Sequence, residues 1–211
     1  MMLRCTLLSL LLSHAAIAAA ECDCIWGGSF TQVQAGMDIV VAGTIVSNKG
    51  NSVDLEVDQL LRGREYAPEI RVWMNPGTLC RPEVKEFPVD SQWVMALHRI
   101  NASQPGDFNP NTPNISVGRT GDFSLSKCGG YWLSRKDNLV TGNLVGGPRW
   151  ERNPDMSPVL LSLVRAFTAG KINAETLREA STIDPALQEL QIETRLHLRQ
   201  ENRRSGMIPE E

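Results

Sequence analysis

Ile39-Val40-Val41-Ala42-Gly43-Thr44-Ile45-Val46, then Asn48-Lys49-Gly50-Asn51, then Val53-Asp54-Leu55-Glu56-Val57-Asp58 read together as a β-hairpin. The Asn and Gly residues between the two runs supply the turn. In the first arm Ile39, Val41, Gly43 and Ile45 alternate with Val40, Ala42, Thr44 and Val46, so both faces are apolar at the start. In the second arm Val53, Leu55 and Val57 alternate with Asp54, Glu56 and Asp58, which predicts one buried face and one solvated, acidic face.

Downstream the same reading continues. Glu69–Met74 forms a third strand with Ile70, Val72 and Met74 on one side, Arg71 and Trp73 on the other; Gln92–Ile100 forms a fourth. Asn101–Asp122 is rich in Asn, Pro, Gly and Ser and reads as a loop holding at most a short strand at Ile115–Val117. Apolar pieces resume at Phe123–Leu125, Tyr131–Ser134 and Leu139–Val145. About five short strands with turns between them and no helical pattern predict a small antiparallel barrel or sandwich. The character changes near Arg149. Ser157-Pro158 has the form of a helix start, and Leu160, Leu161, Val164 and Phe167 follow at helical spacing. Asn173 can cap a second helix to about Ser181, and Asp184-Pro185 a third to about Arg203. These helices carry too few apolar residues for a core of their own, so Leu160, Leu161, Val164 and Phe167 are expected to dock on the barrel.

Upstream, Met1–Ala20 has one positive charge (Arg4), the apolar run Leu7–Leu12 and a small-residue stretch ending Ala18-Ala19-Ala20. That is the pattern of an export signal cleaved after Ala20, and its apolar run is too short to span a bilayer. Removing 20 of 211 residues leaves 191, beginning Glu21-Cys22-Asp23-Cys24. Cys5 leaves with the signal, and Cys22, Cys24, Cys80 and Cys128 remain, an even number in an oxidising compartment. Four cysteines allow three pairings; Cys22–Cys24 would close a very small, strained ring and ranks last. The other two stay open on these grounds. Structural zinc prefers paired short spacings, whereas Cys80 and Cys128 stand alone, so no metal ligand is assigned.

The chain therefore divides into a signal (1–20), a disulfide-stapled barrel (21–148) and a helical C-terminal segment (149–211). Its formal net charge of −3 gives no electrostatic reason to seek nucleic acid or anionic lipid. Beyond the signal only His98 and His197 are present, and no Gly-x-Ser-x-Gly, His-Glu-x-x-His or phosphate-binding loop occurs. No catalytic residue or cofactor is assigned, and a non-enzymatic function is expected. Trp26, Trp73, Trp93, Trp132 and Trp150 are read as barrel core and rim.

Cys-x-Cys directly after a signal, a strand of the form Ile-Val-Val-Ala-Gly-Thr-Ile-Val, Val53–Leu61 running into Arg62-Gly63, and Cys80 after the third strand resemble the N-terminal domain of tissue inhibitors of metalloproteinases and the wider netrin-like modules. The resemblance covers about Cys22 to Val145. It implies a five-stranded OB-type barrel whose first cysteine pairs with Cys80 and whose second pairs with Cys128. In those inhibitors the mature chain starts at the first cysteine, whose amine and carbonyl chelate the target's zinc. Cys22 is the matching position. Here Glu21 precedes it, which makes its amine a peptide nitrogen, and Asp23 stands where the inhibitors carry a small hydroxyl residue. The resemblance thus implies an exported protein-binding module that contacts an unknown protein through Glu21, Cys22, Asp23, Cys24, Ile25 and Trp26. Inhibition of a metalloendopeptidase through the same Cys22 ridge is the alternative.

Overall fold

The computed structural model describes residues 22–102, 109, 111–147 and 150–204; the signal, Glu21 and the expected boundary at 148/149 lie outside the described residues. The hairpin forms as read, from β1 (Ile39–Lys49) and β2 (Ser52–Arg62), joined at Gly50-Asn51. Their pairing carries three register shifts, one of them between Ala42 and Gly43. A Cβ on Gly43 would lie 2.3 Å from the Glu56 carbonyl oxygen, so only glycine allows β2 this close.

β2 pairs antiparallel with β3 (Glu69–Trp73), and β1 pairs on its other edge with β4 (Gln92–Arg99). The two-residue β5 (Phe123–Ser124) lies parallel to β3 and antiparallel to β4. The order β1-β2-β3-β5-β4-β1 therefore closes a five-stranded barrel of a form compatible with the OB type. Ile115–Val117 forms no strand. Beyond β4 the sheet continues through β6 (Trp132–Lys136), β7 (Leu139–Thr141) and β8 (Val159–Leu160).

Both faces of β1 and β4 are covered. Inside the barrel Ile39, Val41 and Ile45 meet Met95, Leu97, Leu55 and Val72, all essentially without exposure. On the outside Val40 and Ala42 stand opposite Ala96 and Val94 and are roofed by Phe30, Leu133, Val140, Leu161, Val164 and Leu177. The second core is completed by the C-terminal segment, through β8, α2 (Leu161–Thr168) and α3 (Ala174–Ser181). The mainly β barrel with a small helical appendage is thus the observed architecture.

Four details differ from the sequence reading. Ser157-Pro158 does not start a helix: Val159 and Leu160 pair with Val140 and Leu139, and α2 begins at Leu161. The next strand's edge was free to be paired, and that long-range partner outweighs the local start signal. Leu160 consequently faces solvent, while Leu161 and Val164 dock as expected, Phe167 packs at the margin, and Val159 and Leu177 join the core instead. Asp54 is 4% exposed rather than solvated. Arg71 reaches it from β3 with two hydrogen bonds (2.7 and 3.0 Å) and the Ser47 hydroxyl donates a third at 2.6 Å. Burial raises the Asp54 pKa, but the bonds from Arg71 and Ser47 win and hold its carboxyl below the ordinary value.

The long loop is tied to the hairpin turn through Asn51. Asn51, in the hairpin turn, donates to the carbonyls of Ser116 (2.7 Å) and Met74 (3.1 Å) and accepts from the Ser116 amide (2.8 Å). Gly50 adopts φ +59°, and a Cβ there would collide with the Asn114 carbonyl at 1.6 Å. The turn residues thus double as the loop's anchor. α3 is capped by Asn173, whose side chain accepts from the Thr176 amide at 2.9 Å, as read from the sequence. α4 (Pro185–Arg204) follows, and it packs on none of the sheet elements to a comparable extent.

Candidate functional site: the N-terminal ridge

Residues 22–28 form no helix or strand, and they alternate between half-buried and exposed. Cys22, Cys24 and Trp26 turn toward the protein, while Asp23 and Ile25 turn away from it. Cys22 is bonded to Cys80 (Cα–Cα 5.2 Å) and Cys24 to Cys128 (Cα–Cα 5.9 Å), the pairing that the resemblance implies. Backbone bonds add to this. Gly27 donates to the Cys128 carbonyl at 2.6 Å, Gly130 to the Gly28 carbonyl at 2.9 Å, and Lys127 to the Cys80 carbonyl at 3.0 Å. The ridge is therefore fastened at both edges, and its outward side chains are held at fixed positions.

The short helix α1 (Phe30–Val33) leads the chain away from the ridge. It was not foreseen, since four residues show no helical period. Its start is marked nonetheless by Ser29, whose amide donates to Gln32 Oε1 at 2.8 Å, half of a capping box. Phe30 is wholly buried and fixes where the ridge ends.

Ile25 is 89% exposed, an unusual position for a rigidly held aliphatic side chain. Beside it Trp26 meets Trp150 with ring centroids 5.2 Å apart at 53°. Trp150 is itself half-exposed, with φ +65°. Trp150 was read only as core or rim; nothing local in the sequence brings it to the ridge across more than a hundred residues. Trp73 and Trp132 are core members, and the Trp73 indole donates to Asp122 at 2.8 Å.

A groove of about 290 Å³ opens next to the Cys22–Cys80 bridge. Met37, Leu79 and Leu125 give it an apolar wall, and Arg81, His98, Ser124 and Ser126 a polar one. Burial lowers the pKa of Arg81, whose guanidinium donates to the Val117 carbonyl at 2.7 Å. His98 is exposed, with Nδ1 2.8 Å from an Asp38 carboxylate oxygen. His197 lies exposed on α4. Among the described residues no helix is long and apolar enough to cross a membrane.

No protein-family model matches the chain, and neither a curated protein nor a solved structure matches it.

Proposed function

We propose that the protein is an exported, non-enzymatic module of the netrin-like, metalloproteinase-inhibitor type that binds another protein through its N-terminal ridge. The observation that carries this reading is Ile25, held out into solvent on a segment locked by two disulfides and flanked by the Trp26–Trp150 pair. Ordering costs oppose association. A ridge already fixed has little left to order. Exposed aromatic and aliphatic anchors on such a support are the usual source of binding energy at protein interfaces.

The barrel order and the cysteine pairing support a netrin-like assignment, and the position of Cys22 makes metalloprotease inhibition a coherent alternative. A carboxylate at Asp23 is costly to desolvate in a protease pocket. A peptide nitrogen at Cys22, expected when Glu21 precedes it, cannot ligate zinc as a free amine does. The natural mature form is therefore assigned a partner other than a metalloprotease active site.

Two measurements test this. Partners are captured from the native exported fraction with the full mature chain and with Ile25→Asp and Trp150→Ala variants that keep the β-sheet circular dichroism. Equal capture by all three would sink the ridge as the contact surface. In parallel, the chain starting at Glu21 is compared with one starting at Cys22 and carrying Asp23→Thr against metalloendopeptidases. Tight inhibition by the Glu21 form would replace the present reading with the inhibitor one.

A further inference from the structure

The two disulfides stand side by side. Cys22 Sγ and Cys24 Sγ are 3.6 Å apart, and the sulfurs of Cys22, Cys24, Cys80 and Cys128 all lie within 4.8 Å of one another. A tetrahedral tetrathiolate zinc centre has Zn–S distances of about 2.3 Å, which places its sulfurs about 3.8 Å apart. The contact between Cys22 and Cys24 already has that separation. Within each bridge, cleavage of the S–S bond needs only side-chain rotation to reach it.

Backbone hydrogen bonds join the segments around Cys80, Cys128 and Gly27-Gly28 independently of the S–S bonds. Lys127 to Cys80 ties the two barrel cysteines' segments to each other, and Cys128 donates to Ser126 Oγ at 3.1 Å. Gly27 to Cys128 and Gly130 to Gly28 hold the ridge against the second of those segments. The sequence argument against zinc rested on Cys80 and Cys128 standing alone in the chain. The fold removes that objection, because it supplies as spatial neighbours what the spacing does not.

We propose that this cluster is a redox-gated metal site: two disulfides when oxidised, and a four-cysteine zinc site when reduced. Each bridge accepts two electrons and two protons from one dithiol reductant, which leaves as its own cyclic disulfide. Two such reactions give four thiols, and zinc binding then displaces their four protons. The metal would hold the ridge in place through the same four sulfurs that fasten it when oxidised. Reduction then exchanges one staple for another rather than releasing Ile25 and Trp26.

The test uses the full mature chain, reduced with a phosphine under anaerobic conditions, desalted and titrated with cobalt(II). The expected result is one equivalent bound, with sulfur-to-cobalt charge-transfer absorption and the visible bands of a tetrahedral centre, all erased by one equivalent of zinc. The oxidised protein should show none of these bands. Cys80→Ser and Cys128→Ser should each weaken cobalt binding by more than the roughly 100-fold upper range of an outer-shell change. The proposal is overturned if the reduced chain gives no thiolate–cobalt spectrum, whether or not its β-sheet circular dichroism survives. It is equally overturned if both serine variants bind cobalt as tightly as the parent, since neither barrel cysteine would then be needed as a ligand.

Discussion

The two cores of this protein share strands β1 and β4 and differ in how they are closed. The interior core draws its members from Ile39 to Trp132 and is sealed by the barrel's own hydrogen-bonded circuit. The outer core begins at Phe30 and is finished only by Leu161, Val164 and Leu177, which follow the last barrel strand by tens of residues. One face of a strand is thus buried by topology and the other by a segment that must return to it. The C-terminal segment is for this reason a structural part of the barrel's outer wall. β8 extends the same sheet, and α2 and α3 contribute side chains to the cluster that includes the outer-face residues of β1 and β4.

The sharpest way to break that contrast is to remove the returning segment. A chain ending at Gly147 loses Val159, Leu161, Val164 and Leu177, each at most 3% exposed. At about 1.5–3 kcal/mol for each buried side chain, their loss is comparable with the roughly 5–15 kcal/mol that holds a typical domain together. The shortened chain is expected to lose cooperative thermal unfolding by circular dichroism. A melting curve matching that of the full chain would show that the outer core is dispensable.

A single substitution sharpens the same point. Leu177 is the one buried residue of α3 and has no exposure. Leu177→Ala should cost about 2–5 kcal/mol, read as a lower urea midpoint at unchanged slope. A loss below about 0.5 kcal/mol would mean that α3 is not anchored through this side chain.

What the sequence made legible, and what it hid, divides along the same line. The double-faced apolar pattern of β1 was legible, because alternation is a local property of one strand, but the second core that covers its outer face was not read from it. The identity of the second cover was only half legible: Leu161 and Val164 were found by helical spacing, but Val159 and Leu177 were not. Their burial depends on β8 pairing with β7, a contact made across the chain. Asp54 was misread for a related reason. Its alternation with Leu55 places it correctly on the outer face, but Arg71 and Ser47, which make burial tolerable there, sit on other elements. At the ridge, Cys-x-Cys marked the two cysteines that bond to Cys80 and Cys128, and Trp150 escaped notice because no motif connects it with Trp26.

Asp54 also gives a prediction intermediate in size, since it tests whether a charged pair can serve as cover where no returning segment reaches. Its folded pKa is depressed, so its contribution is fully present above the unfolded value near 3.9 and fades as pH falls through the lower folded value. Asp54→Asn should cost about 1.5–3 kcal/mol at pH 7. The gap from the parent should narrow below about pH 4, where Asp54 of the unfolded parent takes up a proton that the folded one still resists. Urea midpoints of both proteins at pH 7 and pH 3 measure it. A gap of equal size at both values would assign the loss to packing rather than to the ion pair with Arg71.

The smallest effect is expected in α4, none of whose described side chains belongs to either core. Leu190, Ile192, Leu196 and Leu198 are each more than half exposed, although the helix is twenty residues long. Helices of this length draw most of their stability in proteins from a packed face. Without one, α4 should open independently of the rest. Leu196→Ala is therefore expected to change the unfolding free energy by no more than about 0.5 kcal/mol, well below the effect at Leu177. Native-state hydrogen exchange gives the more searching measurement, because local opening and global unfolding separate there. Amides of α3 should exchange only through large openings that expose the outer core, and those of α4 through openings costing far less. Protection of α4 equal to that of α3 would mean that its leucines are covered in solution. The division of this chain into two cores and one unpacked helix would then have to be redrawn.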